Sequence, residues 1–226
     1  MRGEPWLTFS ISDVQVNLIL TLALCICKAG ILSRPPRRDA VAQCGMPLPY
    51  PDPQLASSRV VLRRWSYGDL ACVEAASADP EIPRGTTVPA TYTDEEGRAW
   101  IERQWSRQTD GQGLSLAIVE RSASEAVGLV FLGLRQPEGH CEVGYWLIPR
   151  ARGRGLGTEA VHLASRWVLD GTGVYRLFGH VVPDNTASIG VLTKCGFTHE
   201  GLLRSYLRSG DTKLDVLSFS LLRDDL

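Results

Sequence analysis

Metal-site spacing is what this 226-residue chain most plainly lacks. Its six cysteines (Cys25, Cys27, Cys44, Cys72, Cys141, Cys195) include no CxxC pair. Its four histidines (His140, His162, His180, His199) form neither an HExxH nor a His/Cys set suited to zinc. The pattern argues against a structural metal and against a disulfide framework; scattered single thiols suit a reduced, cytoplasmic protein. Charge of one sign is also missing. With 24 Lys and Arg against 25 Asp and Glu, the net charge is -1, and no whole-chain field draws the protein to nucleic acid or to an anionic membrane. Beyond residue 57 there is no internal repeat and no low-complexity tract.

An uninterrupted membrane-length apolar run is absent too. Val14–Cys27 comes nearest, but Gln15, Asn17 and Thr21 break it and Lys28 closes it, short of the ~20 apolar residues a spanning helix needs. A signal peptide wants a basic start and small residues before cleavage. Here Arg2 is the only early base, Asp13 abuts the run, and Leu24 stands where a lipoprotein box needs a small residue. The Pro/Arg-rich Ser33–Ala40 follows. The expectation is that translation starts at Met46, that residues 1–45 are an upstream extension, and that 46–57 are a Pro-rich lead; a weak membrane anchor is the competing reading.

From Ser58 to Leu226 the pattern is regular. Arg59–Arg64 predicts a strand, and Ser66 and Asp69 suit the start of a helix through Ala78. Thr93-Asp-Glu-Glu96 reads as a capping box opening a helix to about Gln108, with Trp100, Ile101 and Trp105 on its apolar side. Strands are expected at Leu114–Glu120, Ala126–Arg135 and Cys141–Ile148. A helix at Thr158–Leu169 follows, with Ala160, Val161, Ala164, Trp167 and Val168 facing inward. Then come a strand at Arg176–Val182, a helix at Thr186–Lys194, and strands at Phe197–Leu203 and Lys213–Leu222. The order β-α-α-β-β-β-α-β-α-β-β predicts one mixed α/β sheet covered by helices.

The chemistry concentrates in Pro149–Thr158, PRARGRGLGT, between a strand and a helix. Gly153, Gly155 and Gly157 allow tight turning and close approach of the backbone to a ligand. A helix starting near Thr158 leaves its first amides unpaired, and its dipole favours an anion there. Arg150, Arg152 and Arg154 add positive charge. A dinucleotide fingerprint is excluded because its third glycine is missing, with Thr158 and Ala160 in that region; a P-loop is excluded because there is no lysine.

Arg152-Gly-Arg-Gly155-Leu-Gly157 resembles the Arg/Gln-x-x-Gly-x-Gly/Ala pyrophosphate loop of the GCN5-related N-acetyltransferase (GNAT) superfamily. Glu142–Leu147, and Asn185–Gly201 with its Ser188, Lys194, Gly196 and Glu200, resemble the RimJ/RimL branch. The resemblance covers roughly residues 58–226. It implies a GNAT fold: a mixed, mostly antiparallel sheet of six to seven strands, helices on both faces, and a splay between the two central parallel strands, Cys141–Ile148 and Arg176–Val182. It implies acetyl-CoA as acyl donor substrate and no metal. It places the backbone of Tyr145, Trp146 and Leu147 along the pantetheine arm, as an open strand edge can hold an added strand. Arg152, Gly153, Arg154, Gly155, Leu156, Gly157 and Thr158 fall at the pyrophosphate. Asn185 caps a helix and reaches the cofactor near its thiol, Ser188 protonates the departing thiolate, and the N–H of Leu147 faces the oxyanion. Glu142 matches the glutamate used as base, provided partial burial raises a pKa that is ordinarily ~4.3; an ion pair with a loop arginine is the alternative. The acceptor is then a small-molecule amine or a protein N-terminal amine, bound around Pro83–Thr93 and Leu203–Asp211. The oligomeric state stays open, a homodimer among the options. A non-catalytic acyl-CoA-binding module is the alternative function. No histidine or cysteine is assigned a catalytic role, and Tyr206 is left unassigned.

Overall fold

The computed structural model describes residues 47–209 and 211–226; the expectation for residues 1–45 lies outside them. The elements in chain order are β1 (Leu55–Ala56), β2 (Val60–Arg63), α1 (Leu70–Ser77), α2 (Ile82–Gly85), α3 (Asp94–Thr109), β3 (Gly113–Glu120), β4 (Glu125–Arg135), β5 (His140–Leu147), α4 (Leu156–Gly171), β6 (Arg176–Val181), α5 (Thr186–Lys194), β7 (Thr198–Ser209) and β8 (Thr212–Leu222). They build one eight-stranded sheet in the order β1-β2-β3-β4-β5-β6-β8-β7. The extra strand beyond the predicted seven is β1, whose two residues pair with Val61 and Leu62. Two residues carry no readable alternation, and only their partner strand reveals them.

Local chemistry explains most element boundaries. The Thr93 side chain accepts a hydrogen bond from the Glu96 N–H at 3.1 Å, with Asp94, Glu95 and Glu96 in the first turn of α3; such a cap is worth ~1 kcal/mol, and the acids complement the helix dipole. Asn185 Oδ1 caps α5 in the same way, accepting from the Ser188 N–H at 3.0 Å. β3 is buried at every position because β2 and β4 pair with both its edges and helices cover its faces.

The two faces differ. On one, Trp100 of α3 meets Trp65 and Trp146 of β5, with ring centroids 4.9 and 6.1 Å away. On the other, α4 buries Leu156, Ala160, Val161, Ala164, Val168 and Leu169, while Trp167 is half-buried. Among the described residues no helix is long and apolar enough to cross a membrane.

β5 and β6 form the single parallel pair among the described strands. Their ladder has three rungs, His140 with Arg176, Cys141 with Leu177 and Glu142 with Phe178. Past that point β5 keeps pairing with β4 as far as Leu147, and β6 keeps pairing with β8 as far as Val181. The sheet therefore splits between them, as the resemblance implied.

Candidate active site at the strand splay

The open edge of β5 is set by strand alternation. The Ile148 N–H donates to the Val127 carbonyl at 3.0 Å, and the Trp146 carbonyl lies against Gly128, so both residues turn their main-chain groups toward β4. Tyr145 and Leu147, in the opposite phase, present theirs to the gap. This corrects the expectation for Trp146: its main chain belongs to the β4 ladder, and its ring packs in the tryptophan cluster. The Leu147 carbonyl accepts from Arg152 Nε at 2.8 Å.

The Tyr145 side chain reaches the opposite lip. Its hydroxyl donates to the Ser188 carbonyl at 3.1 Å, joining β5 to the first turn of α5. Burial pushes its pKa up to about 12, against a small lowering by that hydrogen bond. Gly179 lets the strands approach at the crotch of the splay, since a Cβ there would sit 3.4 Å from Val143 Cγ1 and from Leu192 Cδ1.

A single 3₁₀ turn, Pro149–Ala151, leads from β5 into the glycine loop. Gly153 (φ 70°) and Gly155 (φ 78°) are left-handed, a region costly to residues with a Cβ. Gly155 is the N-cap of α4, so the helix starts at Leu156, earlier than predicted, and Thr158 lies inside its first turn. Glu159 N–H donates to the Gly155 carbonyl at 3.1 Å. The main-chain N–H groups of Gly153, Arg154, Gly155, Leu156, Gly157 and Thr158 have no protein acceptor among the described residues. Six unpaired amides thus lie at and just before a helix N-terminus, where partial positive charge collects.

Each loop arginine is engaged with a carboxylate. Arg150 pairs with Glu125 at 2.7 Å, and Arg152 pairs with the buried Asp79 at 2.9 Å. Arg154 grips Glu120 with both terminal nitrogens. Arg59 adds a fourth cation, bonded to Glu159 and to the Arg154 carbonyl. Each positive charge meets a carboxylate, so attraction for an anion resides in the amides and the helix dipole.

Glu142, at the last rung, faces the α3 side of the sheet. Arg135 of β4 holds it at 2.6 Å, and His180 Nδ1 lies 3.9 Å from its other oxygen. Burial raises its pKa, but the nearby His180 and the Arg135 charge and hydrogen bond outweigh that and leave it below the ordinary carboxylate value. The ion-pair partner is Arg135, not a loop arginine, and the rise that a good base requires does not occur. The His180 ring stacks on Tyr206 at 4.6 Å and on Phe178 at 5.3 Å. Glu200 pairs with Arg176 at 2.5 Å and accepts from Ser220, which places it in a separate ion pair.

The expected site residues thus assemble: Tyr145 and Leu147 at the open edge, residues 153–158 at the loop, Asn185 and Ser188 on the far lip, and Glu142 at the crotch. His180 and Arg135 were missed. Alternation along β6 put His180 on one of two faces, and only its register with Glu142 through Phe178 selects the face. Cys72, Cys141 and Cys195 are free and buried. Burial raises all three thiol pKa values, to about 12 for Cys72 and about 11 for Cys195, which leaves them poor nucleophiles.

A parallel pair that opens beside a glycine loop of unpaired amides is the arrangement that the resemblance to the GNAT superfamily implied. The profile of the acetyltransferase (GNAT) domain matches residues 59–198, and the chain belongs to that family. Uncharacterized N-acetyltransferase p20 of Bacillus licheniformis is 28% identical over 170 residues, 75% of this chain and 96% of that protein. Uncharacterized N-acetyltransferase YoaA of Bacillus subtilis is 26% identical over 76% of this chain and 97% of its own length. The fold superimposes on Mycobacterium smegmatis RimJ in complex with CoA-disulfide (TM-score 0.66, 23% identity, 74% of this chain and 83% of that one). It also superimposes on the ribosomal-protein-S5-alanine acetyltransferase of Vibrio fischeri (TM-score 0.60, 19% identity, 76% and 97%).

Proposed function

We propose that the protein moves an acetyl group from acetyl-CoA to a primary amine, on a protein N-terminus or a small molecule, by direct attack. The observation that carries this reading is the three-rung β5–β6 ladder beside six main-chain donors without protein acceptors. Acetyl-CoA enters as substrate. Its pantetheine amides pair with the exposed groups of Tyr145 and Leu147, and its pyrophosphate takes the amides of residues 153–158. The uncharged amine attacks the thioester carbonyl, the Leu147 N–H steadies the oxyanion, and the tetrahedral intermediate expels the thiolate. The Ser188 hydroxyl, one turn into α5, returns a proton to the sulfur.

Glu142, ionised but with its pKa held below the ordinary carboxylate value, takes the amine proton through water as a weak base, with Arg135 and His180 fixing its orientation. Orientation of the two reactants supplies much of the acceleration. The buried, unreactive thiols suit a reducing cytoplasm. The test is thiol release from acetyl-CoA with an amine panel, alongside calorimetric CoA binding. Turnover that Glu142→Gln and Ser188→Ala each lower is expected. Tight CoA binding with no turnover on any amine would overturn acetyl transfer in favour of a binding module.

A further inference from the structure

Arg107, near the end of α3, is a half-buried cation without an acidic partner among the described residues. Its guanidinium carbon lies 4.8 Å from the centre of the Phe131 ring. Its Nη2 reaches only the neutral Thr87 hydroxyl, at 3.5 Å, an oxygen that also accepts from Trp100 Nε1. Its Nε is buried with no hydrogen-bond partner. The ring contact contributes ~0.5–2 kcal/mol but leaves that N–H unsatisfied, and an unsatisfied buried donor of a charged group is costly.

The neighbours make the position worse, not better. Arg135 lies 6.0 Å from the same Phe131 ring, and burial together with the charges of Arg135 and Arg103 lowers the Arg107 pKa. Glu142 is already bonded to Arg135, which leaves Arg107 uncompensated. The place is on the side of the sheet that carries Glu142. Phe131 registers with Gly144 on the opened stretch of β5, and Thr87 belongs to the segment expected to line the acceptor pocket. Gly133, opposite Glu142, leaves the room that lets Arg135 fold back toward Phe131, for a Cβ there would come within 2.9 Å of Arg135 Nη1.

We propose that Arg107, with Arg135 beside it, is an anion subsite of the acceptor pocket, so that the acceptor carries a carboxylate or phosphate close to its reacting amine. The proposal rests on the acetyl-transfer reading. A planar guanidinium can take either oxyanion in bidentate fashion, and the terminal nitrogens of Arg107 are met only by the 3.5 Å contact to the Thr87 hydroxyl. An acidic acceptor reaching those nitrogens would compensate the charge that the protein leaves unpaired among the described residues.

The experiment measures kcat/KM for matched amines: peptides with Asp or Glu after the N-terminal residue against the same peptides with Asn or Gln, and phosphoethanolamine against ethanolamine. A preference of about tenfold or more for the anionic members is expected, and the two arms separate carboxylate from phosphate. Arg107→Leu should abolish the preference while keeping wild-type CoA affinity by calorimetry and a Tm equal to or above wild type, because it removes an unpaired half-buried charge. Succinate should raise the Tm of the CoA-saturated wild type and not that of Arg107→Leu. Equal turnover of charged and neutral partners, or a preference that survives Arg107→Leu, overturns the subsite and leaves acetyl transfer standing. Failure to bind CoA instead overturns the underlying reading.

Discussion

Glu142 on β5 and Phe178 on β6 are the last residues at which the two parallel strands are joined. One residue later the strands have parted, and each stays committed to its antiparallel neighbour on the outer side. Unpaired strand groups are an open invitation to another chain or ligand. At this position the fold leaves them on an inner edge, between the two halves of the sheet.

The loop glycines separate conformation from contact. A Cβ at Gly153 meets nothing within 4 Å, whereas one at Gly155 comes 3.4 Å from Arg59 Nη2. Alanine in the left-handed region costs ~1–2 kcal/mol. Gly153→Ala and Gly155→Ala should each weaken CoA binding about tenfold, with the larger loss of stability in Gly155→Ala. Calorimetry and urea titration measure the two effects; unchanged CoA affinity in both variants would mean the loop amides are not used.

Tyr145→Phe removes the hydrogen bond to the Ser188 carbonyl and should lower stability by ~1 kcal/mol at neutral pH. The folded-state pKa is raised from 10.0 to about 12, so the folded protein keeps a proton that the unfolded chain gives up. The contribution of this group is complete below pH 10.0 and declines as pH climbs toward about 12. Melts of the wild type and Tyr145→Phe across that window should converge; a constant gap would show that the phenol is not shielded.

For Glu142 the sign is reversed. Its folded pKa lies below the ordinary 4.5, so its contribution is present above that value and is lost as pH falls through the folded one. The stability difference between wild type and Glu142→Gln should therefore be largest at neutral pH and shrink in acid. Arg135→Leu removes the charge that holds Glu142 down and should move the acid limb of kcat/KM to higher pH. A stationary limb would exclude Glu142 as the proton acceptor.

Asp79 ties the start of α2 to the glycine loop. Its carboxylate, 3% exposed and bonded to Arg152, accepts the N–H groups of Glu81 at 2.9 Å and Ile82 at 3.0 Å. Asp79→Ala strands those donors and should cost ~2–3 kcal/mol, whereas Arg152→Ala, at the half-exposed end of the pair, should cost ~1 kcal/mol or less. Chemical denaturation of both variants checks the ranking.

Much of the fold was legible along the chain because it is governed by neighbours in sequence. The Thr93 cap needs only Glu96, three residues away, and the Asn185 cap needs only Ser188; α5 has the boundaries its pattern predicted. β1 was not legible, since two residues have no pattern of their own and exist as a strand through Leu62 and Val61. Trp146 was assigned to the open edge because a run of adjacent residues looks equivalent in sequence. The phase of its hydrogen bonds is decided by β4, where Leu129 stands opposite it.

What the sequence by itself determined is the set of positions that local sterics and capping control: the left-handed Gly153 and Gly155, the caps at Thr93 and Asn185, and a run of loop amides with nowhere to bond. Tertiary structure alone decided the charge on the chemistry. The Glu142 pKa stays below the ordinary carboxylate value despite burial because sheet register delivers Arg135 and His180 to it, and the loop arginines are paired with Asp79, Glu120 and Glu125 from other elements. Among the described residues Arg107 is left without such a partner. Torsional preference acts over a few bonds, whereas Coulomb interaction and desolvation depend on distance in space and on burial, which only the folded chain defines.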